Sequence, residues 1–463
     1  MTTIAIIGGG FCGALTAVHV LRNSSSARVV LIERSGKFGP GLAYSTPSPV
    51  HFLNVPAGNM SAFDDDPGHF LRWTQERDPA VTSGSFLARA VYGQYLQSVL
   101  AAERARAGGR FREITGDATS IGPMGDGGSP TTVALASGES LEADRVVLAL
   151  GNALPRHPPV PDEGCWTHPA YLHNPWDFDA LNRILPDEPV LIVGAGLTMM
   201  DVVMSLAARD HAGRILAVSR HGLLPRPHRS PSKPPVHRDP PAGLKTWNGS
   251  ARVLLHTLRD AVQRGAGRGT DWRDVVTSIR SITPDLWKRM DACERDRFLI
   301  RLRSYWDVVR HRAAPETGAA VADLIASRRL SVRAGRLLSL RPSGALIDGV
   351  FRPRGSCISQ VFRGARVINC LGPDTDIGRC PDRLVRQLLA SGAIASDPHA
   401  IGIEVSESGF AIGSDGVPST SMLVVGPMRR AQYWENTAVP ELRRQAAQVA
   451  LAALGCGAVA KIP

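Results

Sequence analysis

The chain has 463 residues, 43% of them hydrophobic and 21% charged, enough for two or three domains that each bury a core. No apolar run approaches the roughly 20 residues of a membrane-spanning helix, and the seven scattered cysteines show neither a Cys-x-x-Cys pair nor zinc-like spacing, so no metal is expected. The net charge of +11 is spread along the chain as arginines rather than gathered in a tail. Solvated arginines, a few on cofactor phosphates or an anionic substrate, account for it, and neither a nucleic acid nor a membrane is an expected partner.

The first strand, Ile4–Ile7, begins almost at Met1, which leaves no room for a leader and makes a cytoplasmic location the expectation. It runs into Gly8-x-Gly10-x-x-Gly13, a helix over Ala14–Leu21, and a strand over Arg28–Ile32 that ends at Glu33 and Arg34. Glycines at this spacing permit a tight turn and close approach of backbone to a pyrophosphate, and the carboxylate about 20 residues on can accept from ribose hydroxyls. An insertion over Gly39–Leu100 contains Asn54 and a helix around Phe70–Gln75. Arg110–Ser120 and Thr131–Leu135 read as strands of a β-meander, and the strand Arg145–Leu150 stops at Gly151.

The plan then repeats. Val190–Val193 leads into Gly194-x-Gly196, Thr198 and a helix over Met200–Ala208, with Met199 where the third glycine stood before. The strand Arg214–Val218 ends at Ser219-Arg220. A guanidinium there can take a 2′-phosphate, which favours NADPH over NADH, although an exposed arginine is equally at home in an arginine-rich chain. A Pro/Arg-rich stretch over Leu224–Gly243 precedes helical stripes, Leu254/Leu255/Leu258/Val262, Trp272/Val275/Val276/Ile279 and Phe298/Leu299/Leu302/Tyr305/Trp306/Val309, which predict a helical insert at about 244–327. Strands at Leu330–Ala334 and Arg336–Leu340 follow, and Arg366–Leu371 closes at Gly372. A last strand, Met422–Pro427, carries Gly426. Thr437 and Ala438 then lead into a helix over Val439–Leu454, whose positive end would face a flavin in a two-nucleotide flavoprotein. Two such turns in one chain point to a flavin and a nicotinamide held together. The expected fold is α/β: two Rossmann-like three-layer (β/β/α) dinucleotide-binding domains, the second carrying the helical insertion.

Several segments carry a family likeness: Gly8–Gly13, Leu53–Ala57, Asp66–Phe70, Tyr92–Leu96, Ser219–Pro225, Tyr305–Asp307, Arg310–Arg312 and Trp434–Glu441. Through them, nearly end to end, the chain resembles the bacterial FAD/NAD(P)-binding proteins related to flavin-containing monooxygenases. The resemblance implies FAD on the first turn, in a domain of residues 1–185 plus 373–463, with Gly8, Gly10, Gly13, Glu33, Arg34, Asn54, Gly151, Gly426, Thr437 and Ala438 as its binding residues. It implies NADPH on the second turn, in residues 186–372, with Gly194, Gly196, Thr198, Arg220 and Gly372.

The activity implied is that of an FAD-dependent, NADPH-using monooxygenase that oxygenates a small molecule through a flavin hydroperoxide, acting as a monomer or homodimer with molecular oxygen as co-substrate. The class fingerprint Phe-x-Gly-x-x-x-His-x-x-x-Trp/Tyr is not intact. Tyr171–Trp176 stands in its place, without the glycine and with the His–Trp spacing one short. This favours, as an alternative, a reductase or dehydrogenase without oxygen insertion, and a third reading is a non-catalytic dinucleotide sensor. His69, His173, His311 and Asp307 are acid–base candidates, although packing roles suit each of them. Trp306 and Trp434 are candidates to flank the flavin, Asp64–Asp66 reads as a solvated acidic loop, and no catalytic residue is assigned.

Overall fold

Short strands buried on both faces build the frame: Thr3–Ile7, Arg145–Leu148, Val190–Val193 and Arg366–Asn369 are buried along nearly their whole length. The computed structural model describes residues 1–122, 130–230 and 238–456, so the middle of the Pro/Arg-rich stretch lies outside the described residues. The first sheet has the order Phe410–Ile412, Pro418–Val424, Arg145–Leu148, Thr3–Ile7, Arg28–Glu33, Phe111–Thr115, all parallel except the first. Its register sets Ile4 opposite Val29 on one side and Arg145 on the other. On one face Ile4, Ile6, Leu31 and Val147 pack under the helices Phe11–Asn23, Arg89–Ala107 and Val439–Ala453. On the other, Ala5, Ile7, Val146 and Leu148 are covered by a three-stranded sheet (Ala118–Ile121, Thr131–Leu135, Ser140–Ala143) and the helix Arg383–Ala390. Three layers result, and the C-terminal segment completes the sheet that Thr3–Ile7 begins.

The second sheet has the order Gln360–Gly364, Leu346–Pro353, Leu330–Ser343, Ile215–Ser219, Val190–Val193, Arg366–Asn369, Tyr171–Leu172. Three expectations are corrected here. The two strands expected at Leu330–Ala334 and Arg336–Leu340 are one strand, Leu330–Ser343, which changes partner along its length. Its first part pairs in parallel with Ile215–Ser219 and its second, bulged between Leu337 and Ser339, pairs antiparallel with Leu346–Pro353. The bulge lets the ribbon fold over the sheet, where Leu340, Ile347 and Phe351 pack on Leu191 and Leu216. The strand expected at Arg110–Ser120 is two: Phe111–Thr115 joins the first sheet, and Ala118–Ile121 joins the small one. The chain also crosses into the second unit well before residue 185. Tyr171–Leu172 extends the edge left by Arg366–Asn369, and Leu181 is in the second unit's core.

The helical insert is present as expected, from Ala251–Ala266 through Pro315–Ala326. Ser250, Asp271 and Asp291 cap three of its helices through side-chain oxygens. Its third stripe is interrupted by a π-helical turn at Phe298–Leu302, which shifts the phase of the helix and leaves Tyr305 41% exposed. The insert does not close a core of its own. Leu254, Ile279, Leu286, Trp287 and Phe298 share a cluster with Ile401 and Trp434 from the first unit. Among the described residues no helix is long and apolar enough to cross a membrane.

Candidate functional site

Both glycine turns are built the same way. Gly8 has φ +105°, and a Cβ there would stand 2.3 Å from the carbonyl oxygen of Ala149. Gly194 has φ +118°, and its Cβ would stand 2.2 Å from that of Cys370. Each turn is thus pressed against the end of the strand that closes its own repeat. The helix Phe11–Asn23 follows at once, with Gly10 at its N-cap, no side-chain cap and no acid in its first turn. Free amides and a positive helix end of this kind favour an anion. In the second turn Met199 takes the place of Gly13 and is wholly buried in that unit's core. Glu33 is fixed at the end of its strand, accepting from the Gly9 amide at 2.8 Å and from the Ser35 amide and hydroxyl at 2.9 and 2.8 Å. Arg34 points elsewhere: it is paired with Asp382 at 2.5 Å and Asp117 at 3.2 Å, so the structure spends it on the Arg383–Ala390 side of the unit.

Between the turns lies a cleft of about 230 Å³ lined by Gly10, Tyr44, Gly151, Thr198 and Thr437, so both repeats face one space. Through Ala43, Tyr44, Arg89 and Thr437 it adjoins a chamber of about 140 Å³. Asn54, Val55 and Ala438 separate that chamber from a third cavity of about 110 Å³ under the insert. The N-terminus of the helix Val439–Ala453, with Ala438 as N-cap, therefore stands where the three meet. Gly426 (φ +98°) packs on Cys12, and its loop is clamped: its amide donates to Gln445 at 3.2 Å, its carbonyl accepts from Asn436 at 2.6 Å, and Gln445 donates to Asn436. Gly196 lies on the second turn, Gly372 (φ +80°) just past the strand Arg366–Asn369, and Arg220 is exposed just past the end of Ile215–Ser219.

Sequence reasoning missed the residues that bolt the two units together. Arg89 donates to both oxygens of Asp201, at 2.7 and 3.2 Å, and to the Phe52 carbonyl at 3.1 Å. His51 reaches Ser205 at 2.7 Å through Nε2 and Thr46 at 2.8 Å through Nδ1. No local pattern joins groups this far apart in the chain. Of the softer candidates, only His311 lines one of these cavities, and burial among arginines keeps its imidazole neutral. Burial pushes the Asp307 carboxyl up, with Arg303 at 3.4 Å. His69 bonds to the Tyr95 hydroxyl at 2.8 Å, and His173 packs on His157 with ring centroids 4.2 Å apart. Trp434 stacks on Trp287 in the insert's core, and Trp306 donates to Glu435 at 2.8 Å. Asp64 is a strut rather than a solvated carboxylate, joined at 2.8 Å to Arg443 of the C-terminal helix.

The insert is tied to the first unit by ion pairs that include the partly buried Arg310–Glu435 at 2.6 Å and Arg280–Glu441 at 2.5 Å, with Lys288–Glu407 at 3.0 Å on the surface. Burial would push the Glu441 carboxyl up, but Arg280 and Arg310 outweigh it and hold the group below its ordinary 4.5. A depressed folded-state value contributes stability that is fully present above pH 4.5 and is lost as pH falls through the folded value. Acid titration should therefore undock the insert first, seen as a change in tryptophan fluorescence from Trp287, Trp306 and Trp434 ahead of the main far-ultraviolet transition. Glu441→Gln should flatten that acid step while costing about 1–3 kcal/mol at neutral pH.

Residues 5–153 match the model of the FAD-NAD(P)-binding family. No curated protein sequence matches the chain. Among solved structures it is similar to L-lysine 6-monooxygenase from Pseudomonas syringae, with 15% identity and a TM-score of 0.67 over 99% of this chain and 100% of the other. It is similar to an ornithine N-hydroxylase from Kutzneria sp. 744, solved with reduced FAD, NADP+ and L-ornithine, at 13% identity and a TM-score of 0.64 over 98% and 99%. It is also similar to a thioredoxin reductase from Lactococcus lactis, at 10% identity and a TM-score of 0.53 over 98% of both chains. The N-terminal part of the chain is thus an FAD/NAD(P)-binding domain, and the whole has the fold of the two-dinucleotide flavoproteins.

Proposed function

We propose that the chain is an FAD-dependent, NADPH-using oxidoreductase that acts as a monooxygenase on a small molecule. The observation that carries this reading is the single cleft onto which both glycine turns open, continuous with side-chain-lined cavities at the N-terminus of the helix Val439–Ala453. The residues suit the two cofactors: backbone amides after Gly10 and after Gly196 would meet pyrophosphates, Glu33 would accept from ribose hydroxyls, and Arg220 would take a 2′-phosphate. When bound, FAD would supply the hydride and electron chemistry that links NADPH to oxygen. The chain's part is to hold both dinucleotides against one cleft, to stabilise negative charge at the positive end of the C-terminal helix, and to keep bulk water out of the inner chambers.

A reductase passing electrons through a dithiol is the weaker reading. Cys12 is the one cysteine lining the cleft among the described residues, and burial pushes its thiol up to about 12, so it stays a neutral, unpaired thiol. The structural neighbours named as monooxygenases of lysine and ornithine lend the oxygenase reading further support.

Anaerobic mixing with NADPH should bleach a bound flavin, and on admitting air NADPH should be consumed without equivalent release of peroxide once the right substrate is present. A flavin that NADPH does not reduce would overturn the reading. Arg220→Ala should raise the KM for NADPH about 10–100-fold, the loss of one charge-assisted phosphate contact, and leave that for NADH nearly unchanged.

A further inference from the structure

Under the insert, the third cavity is walled by arginines. Five guanidiniums line it: Arg229, Arg273, Arg280, Arg310 and Arg312. Four of them are neutralised by carboxylates. Arg229 meets Asp271 at 2.8 Å and Asp274 at 2.5 Å, Arg273 meets Asp271 at 3.3 Å, Arg280 meets Glu441, and Arg310 meets Glu435. Among the described residues four carboxylates thus pair with four of the five guanidiniums, and Arg312 is the one without a direct ion pair. It is only 8% exposed, and among the described residues its partners are neutral: Nε donates to the Val309 carbonyl at 3.1 Å and Nη2 to the Thr277 hydroxyl at 2.9 Å. Among the described residues Nη1 meets no hydrogen-bond acceptor, and the guanidinium lies 5.6 Å from the centroid of the Trp272 ring. The two imidazoles lining the cavity add no charge: His228 donates from Nε2 to the Asn54 carbonyl at 3.0 Å, burial with Arg312 beside it lowers its value to about 4, and His311 is likewise held neutral.

A buried cation without a carboxylate in direct contact is costly, and a bound anion offsets that cost. We infer that Arg312 is the anchor of a substrate carboxylate, and that this chain acts on small carboxylic acids whose remaining atoms extend toward Asn54 and Ala438. This inference rests on the reading of the chain as a two-cofactor oxidoreductase. Three features favour a carboxylate over other small groups. The fork of two parallel N–H donors matches its two oxygens. Among the described residues the surplus is a single positive charge, which a single negative one balances, whereas a phosphate dianion would overshoot. The space of about 110 Å³ suits a small acid. An amine end finds no partner here, because the lining carboxylate Asp274 is held by Arg229. Arg312 itself remains a cation at neutral pH, although burial and its arginine neighbours Arg310 and Arg273 lower its value to about 10.

The test is isothermal titration of the FAD-loaded protein with butanoate and benzoate, their amide isosteres butanamide and benzamide, butylamine, and inorganic phosphate. At least one carboxylate should bind, its amide at least about 10-fold more weakly, and butylamine and phosphate not measurably. Arg312→Met should abolish carboxylate binding with FAD content unchanged, and Arg312→Lys should restore part of it. The assignment is overturned if neither carboxylate binds at about 10 mM, if amide and acid bind alike, if phosphate or the amine is preferred, or if Arg312→Met binds as the parent does. Binding is read without turnover. A protein that takes carboxylates but whose flavin NADPH fails to reduce keeps the anion site and loses the oxidoreductase reading. One that is reduced but ignores carboxylates does the reverse.

Discussion

Gly13→Ala should give a colourless protein. The added Cβ would stand 1.9 Å from the Gly8 carbonyl oxygen, a contact between two pieces of backbone that no rotamer change relieves. The turn cannot give way either, since the Gly8 amide donates to Ile32 at 2.8 Å and the Gly8 Cα is pressed on the end of the Arg145–Leu148 strand. The helix must back off instead, taking its amides away from the pyrophosphate they would hold. A loss of FAD affinity of at least about 100-fold is expected, equivalent to about 2.7 kcal/mol, read as the ratio of flavin to protein absorbance after dialysis. Gly196→Ala, in the other turn at the position of Gly10, is the control. Nothing lies within 4 Å of its Cβ position, so that variant should stay yellow and lose affinity for NADPH alone. Stoichiometric FAD in Gly13→Ala would remove the first turn as its site.

Asp201→Ala should loosen the two units. It leaves the Arg89 guanidinium, whose side chain is 21% exposed, facing the cleft without its carboxylate. Losing one partner of a fully buried pair costs about 3–5 kcal/mol. The residual solvent at both partners reduces this to about 2–3 kcal/mol, or roughly 2–4 °C of Tm for each kcal/mol in a unit of this size. Flavin reduction by NADPH should slow as well, because this pair, with His51 on Ser205, fixes the helix of the second turn against the first unit. The double variant Arg89→Met/Asp201→Ala should recover most of the melting temperature and little of the reduction rate, which separates stability from alignment. Equal recovery of both would mean that the pair serves stability alone.

What the sequence made legible was chemistry confined to a few consecutive residues. A glycine turn between strand and helix is a local event, so Gly8–Gly13 and Gly194–Gly196 stand out without any tertiary knowledge, and so does the helix start at Val439. The arginine-walled cavity was not legible, because its walls come from segments around Asn54, His228, Arg273 and Arg310, brought together only by folding. In a chain with 53 lysines and arginines, no one arginine announces that it lacks a partner. Arg34 shows the opposite failure. It sits next to the expected ribose carboxylate, yet Asp382, 348 residues away, claims it. The strand Leu330–Ser343 reads as two in the sequence because Gly335 interrupts the pattern, whereas the folded strand runs through that glycine as it changes partner.

The C-terminal strand and helix also set a timetable for synthesis. The strand Pro418–Val424 pairs with Arg145–Leu148, made roughly 270 residues earlier, and the helix Val439–Ala453 covers the same core as Phe11–Asn23. At about 5–20 residues per second, the first sheet waits from roughly 15 s to nearly a minute with Val147 and its neighbours uncovered. The insert waits too, since Ile401 and Trp434 complete its cluster. The second unit, whose strands all lie between Tyr171 and Asn369, can close first on the ribosome. The domain that begins the chain is therefore the last to finish folding, and the half-built apolar face it shows meanwhile is a natural client for chaperones and a point of attack for proteases.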